Sequence, residues 1–306
     1  MPQTQPAAPG RHRPQARARW SRIDSALLLV LAGAIAYLTW RTGSVFRYQW
    51  DWSGIWPFIL RFDAASGRWV TNLLVDGLLT TLRLAFWGIL LAGIIGTVMG
   101  LARVSEKLLF RLLGGAYVML VRNIPPIVFV FVFVYFIASQ IMPALALGDR
   151  VATLPQTWQT LLEWMFGPAK RMDNFILGLV CLAVFSGAYV TEIVRAGIQS
   201  VPLAQLEAGR SLGLSRPDIL RFVVVPQALR NVLPPMAGQF IQLIKDSSLV
   251  SLVSIQELTF SAQDVQVTTQ RVFEVFVFVA GVYFVICFTL SRLFAALERR
   301  SARSYK

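Results

Sequence analysis

The chain has 306 residues, 56% of them hydrophobic and only 15% charged, with a mean hydropathy of +0.59. A soluble domain carries roughly 25% charged residues, so much of the outer surface here faces lipid. The net charge of +13 comes without an RNA- or DNA-binding motif. Its basic residues flank apolar blocks, where they orient a membrane protein and leave no role for nucleic acid. The single histidine, His12, lies in a Pro/Arg-rich tail, which excludes histidine chemistry. Cys181 and Cys287 lie inside apolar runs and read as small buried hydrophobes, neither a disulfide nor a metal site.

In chain order, residues 1–22 are rich in Pro, Ala and Arg and have the composition of a disordered basic segment. A bilayer core needs about 20 mostly apolar residues per helix, and residues 26–40 form the first such run. Its basic start and Ala34-Ile35-Ala36 also fit a cleavable signal sequence. Residues 41–76 are dense in tryptophan (Trp50, Trp52, Trp56, Trp69), a residue that favours the membrane–water boundary. A second span is expected over 77–102, where Gly96 and Gly100 form GxxxG and allow close helix packing. A third covers 112–141, interrupted or kinked by Pro125-Pro126. Residues 142–172, with Pro143, Pro155 and Pro168, read as a polar loop. Further spans follow at 174–197, 232–253 and 272–294, before a basic tail over 299–306. The fold class is therefore all-α and membrane-embedded, with about six transmembrane helices. If the N-terminus is cytoplasmic, more than half of the 29 Lys and Arg lie on the cytoplasmic side, together with the C-terminus and the stretch after the fourth span.

That stretch, residues 200–235, carries the most specific signal. Pro202 suits a first helical turn, residues 203–212 read as a short helix, and Gly213 supplies its stop. Ser215 and Asp218 have capping-box spacing, with Pro217 in the first turn of a second short helix that Pro226 is expected to end. The result is a helix–Gly–helix knob projecting into the cytoplasm; a well-capped connecting loop is the bland alternative.

Glu207-Ala208-Gly209, then Gly213, then Val223, Val225 and Pro226 resemble the EAA motif of ABC importer permeases. Every spacing is kept; Gly209 replaces an alanine, and Val223 and Val225 replace Ile and Leu. Glycine in mid-helix costs about 1 kcal/mol relative to Ala, which would soften the knob. Arg122-Asn123-Ile124-Pro125-Pro126, the run 188–195, Pro226-Gln227-Ala228-Leu229-Arg230 and Lys245-Asp246-Ser247-Ser248-Leu249 further resemble the polar amino acid uptake subfamily, over residues 77–298. The resemblance implies a five-helix MetI-like permease core, residues 77–298, added to an N-terminal helix and extracytoplasmic segment, residues 23–76. It implies a cytoplasmic coupling segment, residues 200–226, in which Glu207, Ala208, Gly209, Gly213 and Pro226 serve the ATPase contact. It also implies a bacterial inner-membrane location, a second permease subunit, an ATPase dimer, an extracytoplasmic amino-acid-binding protein and a glutamate-, aspartate- or glutamine-like solute. No GxxxxGK[ST] loop is present, so ATP and Mg belong to the partner and this chain is expected to hold no cofactor.

Charges at membrane depth are costly and usually functional. Arg122 and Lys245 are expected to line the solute route, where cations meet an amino-acid carboxylate. Glu192, Arg195 and Asp246 balance charge; alternatively these groups pair with one another and hold the bundle together. A secondary transporter would show two related halves, and none is found. A Ser-Lys dyad of Lys245 with Ser247 or Ser248 is the remaining enzymatic reading, and adjacent polar residues in a helix break explain it better.

Overall fold

A computed structural model describes residues 21–45, 49–64 and 67–303. Most of the expected basic N-terminal segment, residues 1–20, lies outside the described residues, as do 304–306 of the tail. Two compact units divide at Trp50.

The first unit contains α1, Arg22–Val45. Ser21 starts it: its Oγ accepts from the backbone N–H groups of Ile23 (3.1 Å) and Asp24 (3.2 Å), and its own N–H donates to Asp24 Oδ2 at 2.7 Å. This reciprocal pair is a capping box. The apolar side chains stand exposed all round the helix, Leu29, Val30 and Leu31 among them, as befits a lipid-surrounded span.

The second unit begins with a short antiparallel hairpin, β1 (Leu60–Asp63) and β2 (Arg68–Thr71), in which Leu60 faces Thr71. After it come α2 (Leu73–Val104), α3 (Leu108–Asn123), and α4, which runs from Pro126–Val132 through a π turn at Phe133–Ala138 to Ser139–Leu145. Short helices α5 (Leu147–Ala152) and α6 (Gln156–Phe166) lead to α7 (Met172–Gln199) and α8 (Leu203–Ser211). A continuous helical run then begins at Arg216–Asp218, passes a π turn at Ile219–Val224 and becomes α9, Val225–Asp246. The last helices are α10 (Leu258–Thr269) and α11 (Val272–Arg303).

Among the described residues, five helical stretches are long and apolar enough to cross a membrane: Arg22–Arg41, Leu73–Val104, Pro126–Ala152, Ala169–Gln199 and Val272–Arg300. The all-α membrane class holds. The expected fifth span, 232–253, is instead α9 followed by a 3-10 segment, Ser247–Val253, and α9 is too polar to be counted among the five apolar stretches. The expected third span is two helices. Ile124 and Pro125 are extended (ψ 133° and 136°), because a residue before proline is pushed out of the α region. Pro126 then opens α4, where a missing N–H costs nothing. The expected polar loop over 142–172 is largely helical, since Pro155 and Pro168 sit at helix N-caps instead of inside a coil.

The core forms where α2 meets α7. Gly88, Ala92, Gly96 and Gly100 recur every four residues on α2 and are all buried. A Cβ at Gly96 would lie 2.5 Å from Val190 Cβ, and one at Gly100 would lie 2.8 Å from Val194 Cγ1. The glycines let the two backbones approach until dispersion contacts are made along the whole seam. Leu84, Cys181, Leu182, Leu243 and Ile244 fill the space between α2, α7 and α9.

Candidate functional site

At one end of the α2–α7 seam, three charges interlock. Glu192 Oε2 accepts from Arg195 Nε (3.0 Å) and Nη2 (2.7 Å), one turn along α7, and Arg103 Nη1 of α2 lies 2.7 Å from Oε1. Arg195 Nη1 also donates to Gln199 Oε1 at 2.7 Å. All three charged side chains are under a third exposed, so each carboxylate oxygen makes a charge-assisted contact in a partly dehydrated setting. Gly114 of α3 leaves room for the Arg103 stem, since a Cβ there would lie 2.7 Å from Arg103 Cγ. The carboxylate of Glu192 is thus occupied by two guanidiniums, and Arg103, which stands outside the expected route residues, is one of them. Its signal was available: it closes the basic end of α2.

Arg122, at the end of α3, stacks on the Tyr189 ring with its guanidinium carbon 5.0 Å from the centroid. Among the described residues it forms no ion pair. Arg122, Asn123, Val118, Met119, Gly115 and Arg103 line a cavity of about 380 Å³. Arg122, Glu192 and Arg195 therefore share one neighbourhood through Tyr189 and Arg103. Lys245 and Asp246 close α9, where Asp246 Oδ1 accepts from Gln242 Nε2 at 2.8 Å and neither charge joins an ion pair among the described residues. Ser247 and Ser248 donate their hydroxyls to the backbone carbonyls of Ile244 and Lys245, both at 2.7 Å. Those hydroxyl protons are committed to the helix, not to the Lys245 amine, which removes the Ser-Lys dyad.

The knob is built as its caps dictate. Gly213 adopts φ +78°, Leu214 N–H donates to Gly209 O (3.1 Å) and Gly213 N–H to Arg210 O (2.9 Å), a Schellman pattern. Ser215 Oγ accepts from the N–H of Asp218 and donates to its carboxylate. Glu207, Ala208 and Gly213 are exposed, as are Leu203 (76%) and Leu212 (80%). Gly209 differs from expectation: it is buried, with Ile219 Cγ1 only 3.2 Å from where a Cβ would stand. Its smallness serves packing inside the knob, and it presents no side to a partner. Pro226 does not end a helix. It occupies the first turn of α9 directly after the π turn Ile219–Val224, whose wide i→i+5 geometry accommodates the missing N–H and the ring. Gly209 to Gly213 also have the GxSxG spacing of a nucleophile elbow. Ser211 is nevertheless helical and donates to Glu207 O at 3.0 Å, with no strand before it.

Two buried acids were missed. Glu257 caps α10: its Oε1 accepts from Phe260 N–H (2.9 Å), and its Oε2 accepts from Tyr283 OH (2.8 Å) and Thr81 Oγ1 (3.2 Å). Glutamate is not a favoured N-cap residue, so sequence offers little warning. Glu274 Oε1 accepts from Asp51 N–H at 2.9 Å, and Arg271 binds the Asp51 carbonyl (2.7 Å) and carboxylate. Outside the spans, the Ser53 hydroxyl and N–H, with the Arg271 guanidinium, hold the Asp51 carboxyl below its ordinary value.

Residues 88–303 match the family model described as "Binding-protein-dependent transport system inner membrane component". The glutamine transport system permease protein GlnP of Escherichia coli K12 is 32% identical over 82% of this chain and 98% of its own length. The inner membrane amino-acid ABC transporter permease protein YhdY of the same organism is 31% identical over 92% of this chain and 72% of its own. A solved amino acid ABC transporter with histidines is 32% identical over 74% of this chain and 94% of that one, with a TM-score of 0.60. The MetNI methionine ABC transporter in an inward-facing form shares the fold at 20% identity and a TM-score of 0.51 over 73% of this chain. A family whose members work with an ATPase and a binding protein supplies the engine and the receptor from other chains, so no catalytic centre is required of this one. The chain belongs to the binding-protein-dependent transport inner-membrane components, the multi-pass, non-enzymatic permease subunits of ABC importers.

Proposed function

We propose that this permease moves polar amino acids of the glutamine type inward by alternating access, driven by a cytoplasmic ATPase dimer that grips the α8 knob. Two membrane subunits, identical or related, enclose the route, and an extracytoplasmic binding protein delivers the solute. Both termini and the knob face the cytoplasm, and ATP and Mg bind to the partner. The observation that carries this reading is the knob itself. A nine-residue helix with its stop and restart fixed by Gly213 and Ser215 is joined to α7 through Val201-Pro202 and to α9 through an unbroken helical run. A push on its exposed Leu203, Glu207 and Ala208 is therefore delivered to two embedded helices as rigid levers. The relatives named for glutamine and amino-acid transport support the solute class.

The hypothesis is tested in proteoliposomes holding the permease with its ATPase and binding protein. Glutamine uptake should require ATP and persist when ion gradients are collapsed; uptake that follows an ion gradient without ATP overturns it. Glu207→Lys should leave the permease folded while the ATPase no longer co-purifies and uptake falls at least tenfold. Unchanged co-purification and uptake would remove the knob from the coupling role.

A further inference from the structure

Uncharged runs fix the depth of two packed spans in the bilayer. On α2, residues 84–102, between Arg83 and Arg103, carry no charge. At 1.5 Å per residue that run is about 28 Å long, close to the ~30 Å of a hydrocarbon core. On α7 the uncharged run is 174–191, between Asp173 and Glu192. Arg83 and Asp173 thus mark one edge of the core, on the side opposite the knob, which follows the far end of α7. Both α5 and α6 are fastened at that edge. The Asp173 carboxylate accepts from the N–H groups of Leu147 (2.8 Å) and Gly148 (3.2 Å) at the start of α5. At the end of α6, the Met165 carbonyl accepts from Trp87 Nε1 at 3.1 Å, and the Phe166 ring lies 5.3 Å from that of Trp87.

Held there, α6 turns Trp158, Leu161 and Trp164 outward, 58%, 45% and 74% exposed. Their three-residue steps place them within about 120° of arc. Thr157 and Thr160 share the exposed sector, and with Gln156, Leu161 and Trp164 they line an open groove of about 570 Å³. The one charge of the helix, Glu163, is turned to the protein, its Oε1 accepting from Ala169 N–H at 3.1 Å. Indole rings interleaved with hydroxyls are too apolar for water and too polar for the middle of the acyl chains; the headgroup boundary suits both. Arg150 of α5, and Lys170 and Arg171 in the turn before α7, are exposed and join no ion pair among the described residues. Cations at this depth meet lipid phosphate. The face also continues an apolar one: Phe86, Leu90, Ile94 and Val98 stand exposed every four residues along α2. The Phe86 ring meets Trp87 edge-on at 5.1 Å, beside the seat of α6.

We propose that α6 is an interfacial anchor whose Trp158, Leu161 and Trp164 lie among the phospholipid headgroups and upper acyl chains on the side opposite the knob. Its end leads into α7 through Gly167-Pro168 and a single 3-10 turn. The anchor therefore holds the start of the helix whose far end carries the knob. Lipid contact here requires only that the spans are inserted, and it is independent of what the permease carries.

Bimane is attached to single cysteines in the assembled transporter carrying Cys287→Ser; Cys181 is buried. The positions are Trp164→Cys, Phe284→Cys on α11 as the lipid-facing control, and Leu203→Cys on the knob as the aqueous control, the last two 68% and 76% exposed in the parent. Nanodiscs contain phosphatidylethanolamine and phosphatidylglycerol. Phospholipid brominated on its acyl chains should quench the Trp164→Cys and Phe284→Cys labels at least twofold and spare Leu203→Cys. Aqueous iodide should quench Leu203→Cys alone. A Trp164→Cys label that iodide quenches and brominated lipid does not overturns the anchor. So does a label indifferent to brominated lipid that added binding protein shields from iodide, which would make α6 a docking face for protein. With Trp158→Ser and Trp164→Ser combined, quenching of a Leu161→Cys label by brominated lipid should fall at least twofold, with the melting temperature in detergent unchanged. Undiminished quenching there overturns the part given to the two tryptophans. Should that combination fail to fold, the Trp164→Cys label decides the case.

Discussion

Two charged stations sit in the helical bundle, and their chemistry is opposite. Around Glu192 the protein answers its own charges: Arg103 and Arg195 take one carboxylate oxygen each, and Gln199 extends the chain of contacts. At the end of α9, Lys245 and Asp246 are adjacent, Asp246 accepts from the Gln242 amide, and neither charge joins an ion pair among the described residues. A charge on a packed helix marks both stations equally, and pairing is what separates them. Held by Arg103 and Arg195, the Glu192 carboxylate ties α2 to α7.

The contrast can be broken most directly at Glu192. Glu192→Ala leaves two arginines facing each other without a counter-ion. It should destabilise the protein by about 3 kcal/mol, the low end for a buried pair because these groups retain some solvent, read as a lowered melting temperature in detergent. A double-mutant cycle of Arg103→Gln with Glu192→Gln should give a coupling of about 1–2 kcal/mol; additivity would mean the two ends of the seam are held by packing alone. Lys245→Met should shift stability by no more than about 0.5 kcal/mol, and a large loss would show that its charge is satisfied structurally after all. Glu106–Arg216 is a pair exposed at 84% and 82%, and Arg216→Ala should fall within about 0.5 kcal/mol of the parent. Last comes Asp51. Its folded pKa lies below the ordinary 3.8, so its contribution is complete above that value and disappears as pH falls through the lower folded one. Melting curves of Asp51→Asn should match the parent under acid conditions and fall below it at neutral pH.

Much of this was legible in the sequence wherever one residue type forces one backbone state. Gly213, Ser215 and Pro217 fix the knob because each imposes a turn or a cap, and Gly96 and Gly100 announce the seam because nothing larger fits. Prolines misled where their position in a helix, not their presence, decides the outcome. Pro155 and Pro168 begin helical turns, Pro226 lies early in α9, and Pro234 and Pro235 lie inside it. The helix α10 was invisible because its 12 residues are short for a span and its start is capped by Glu257. The Glu257 contacts with Thr81 and Tyr283 join positions 176 and 26 residues apart, which only folding brings together. Burial of Gly209 was equally out of reach, since it depends on where Ile219 lands after the turn.

The wide turn at Ile219–Val224 sets one more property. A helical wheel drawn through Arg216 cannot be continued into Val225–Asp246, because a π turn takes up one residue more than an α turn and shifts the phase by roughly 100°. The angular setting of the knob about the helix axis is thereby decoupled from the setting of α9, as one gear is keyed to a shaft independently of another. Shortening the turn by a single residue would let the whole run wind as an ordinary α-helix with its upper face undisturbed, which makes this turn the place where the chain can gain or lose a residue without rotating α9 against α2 and α7.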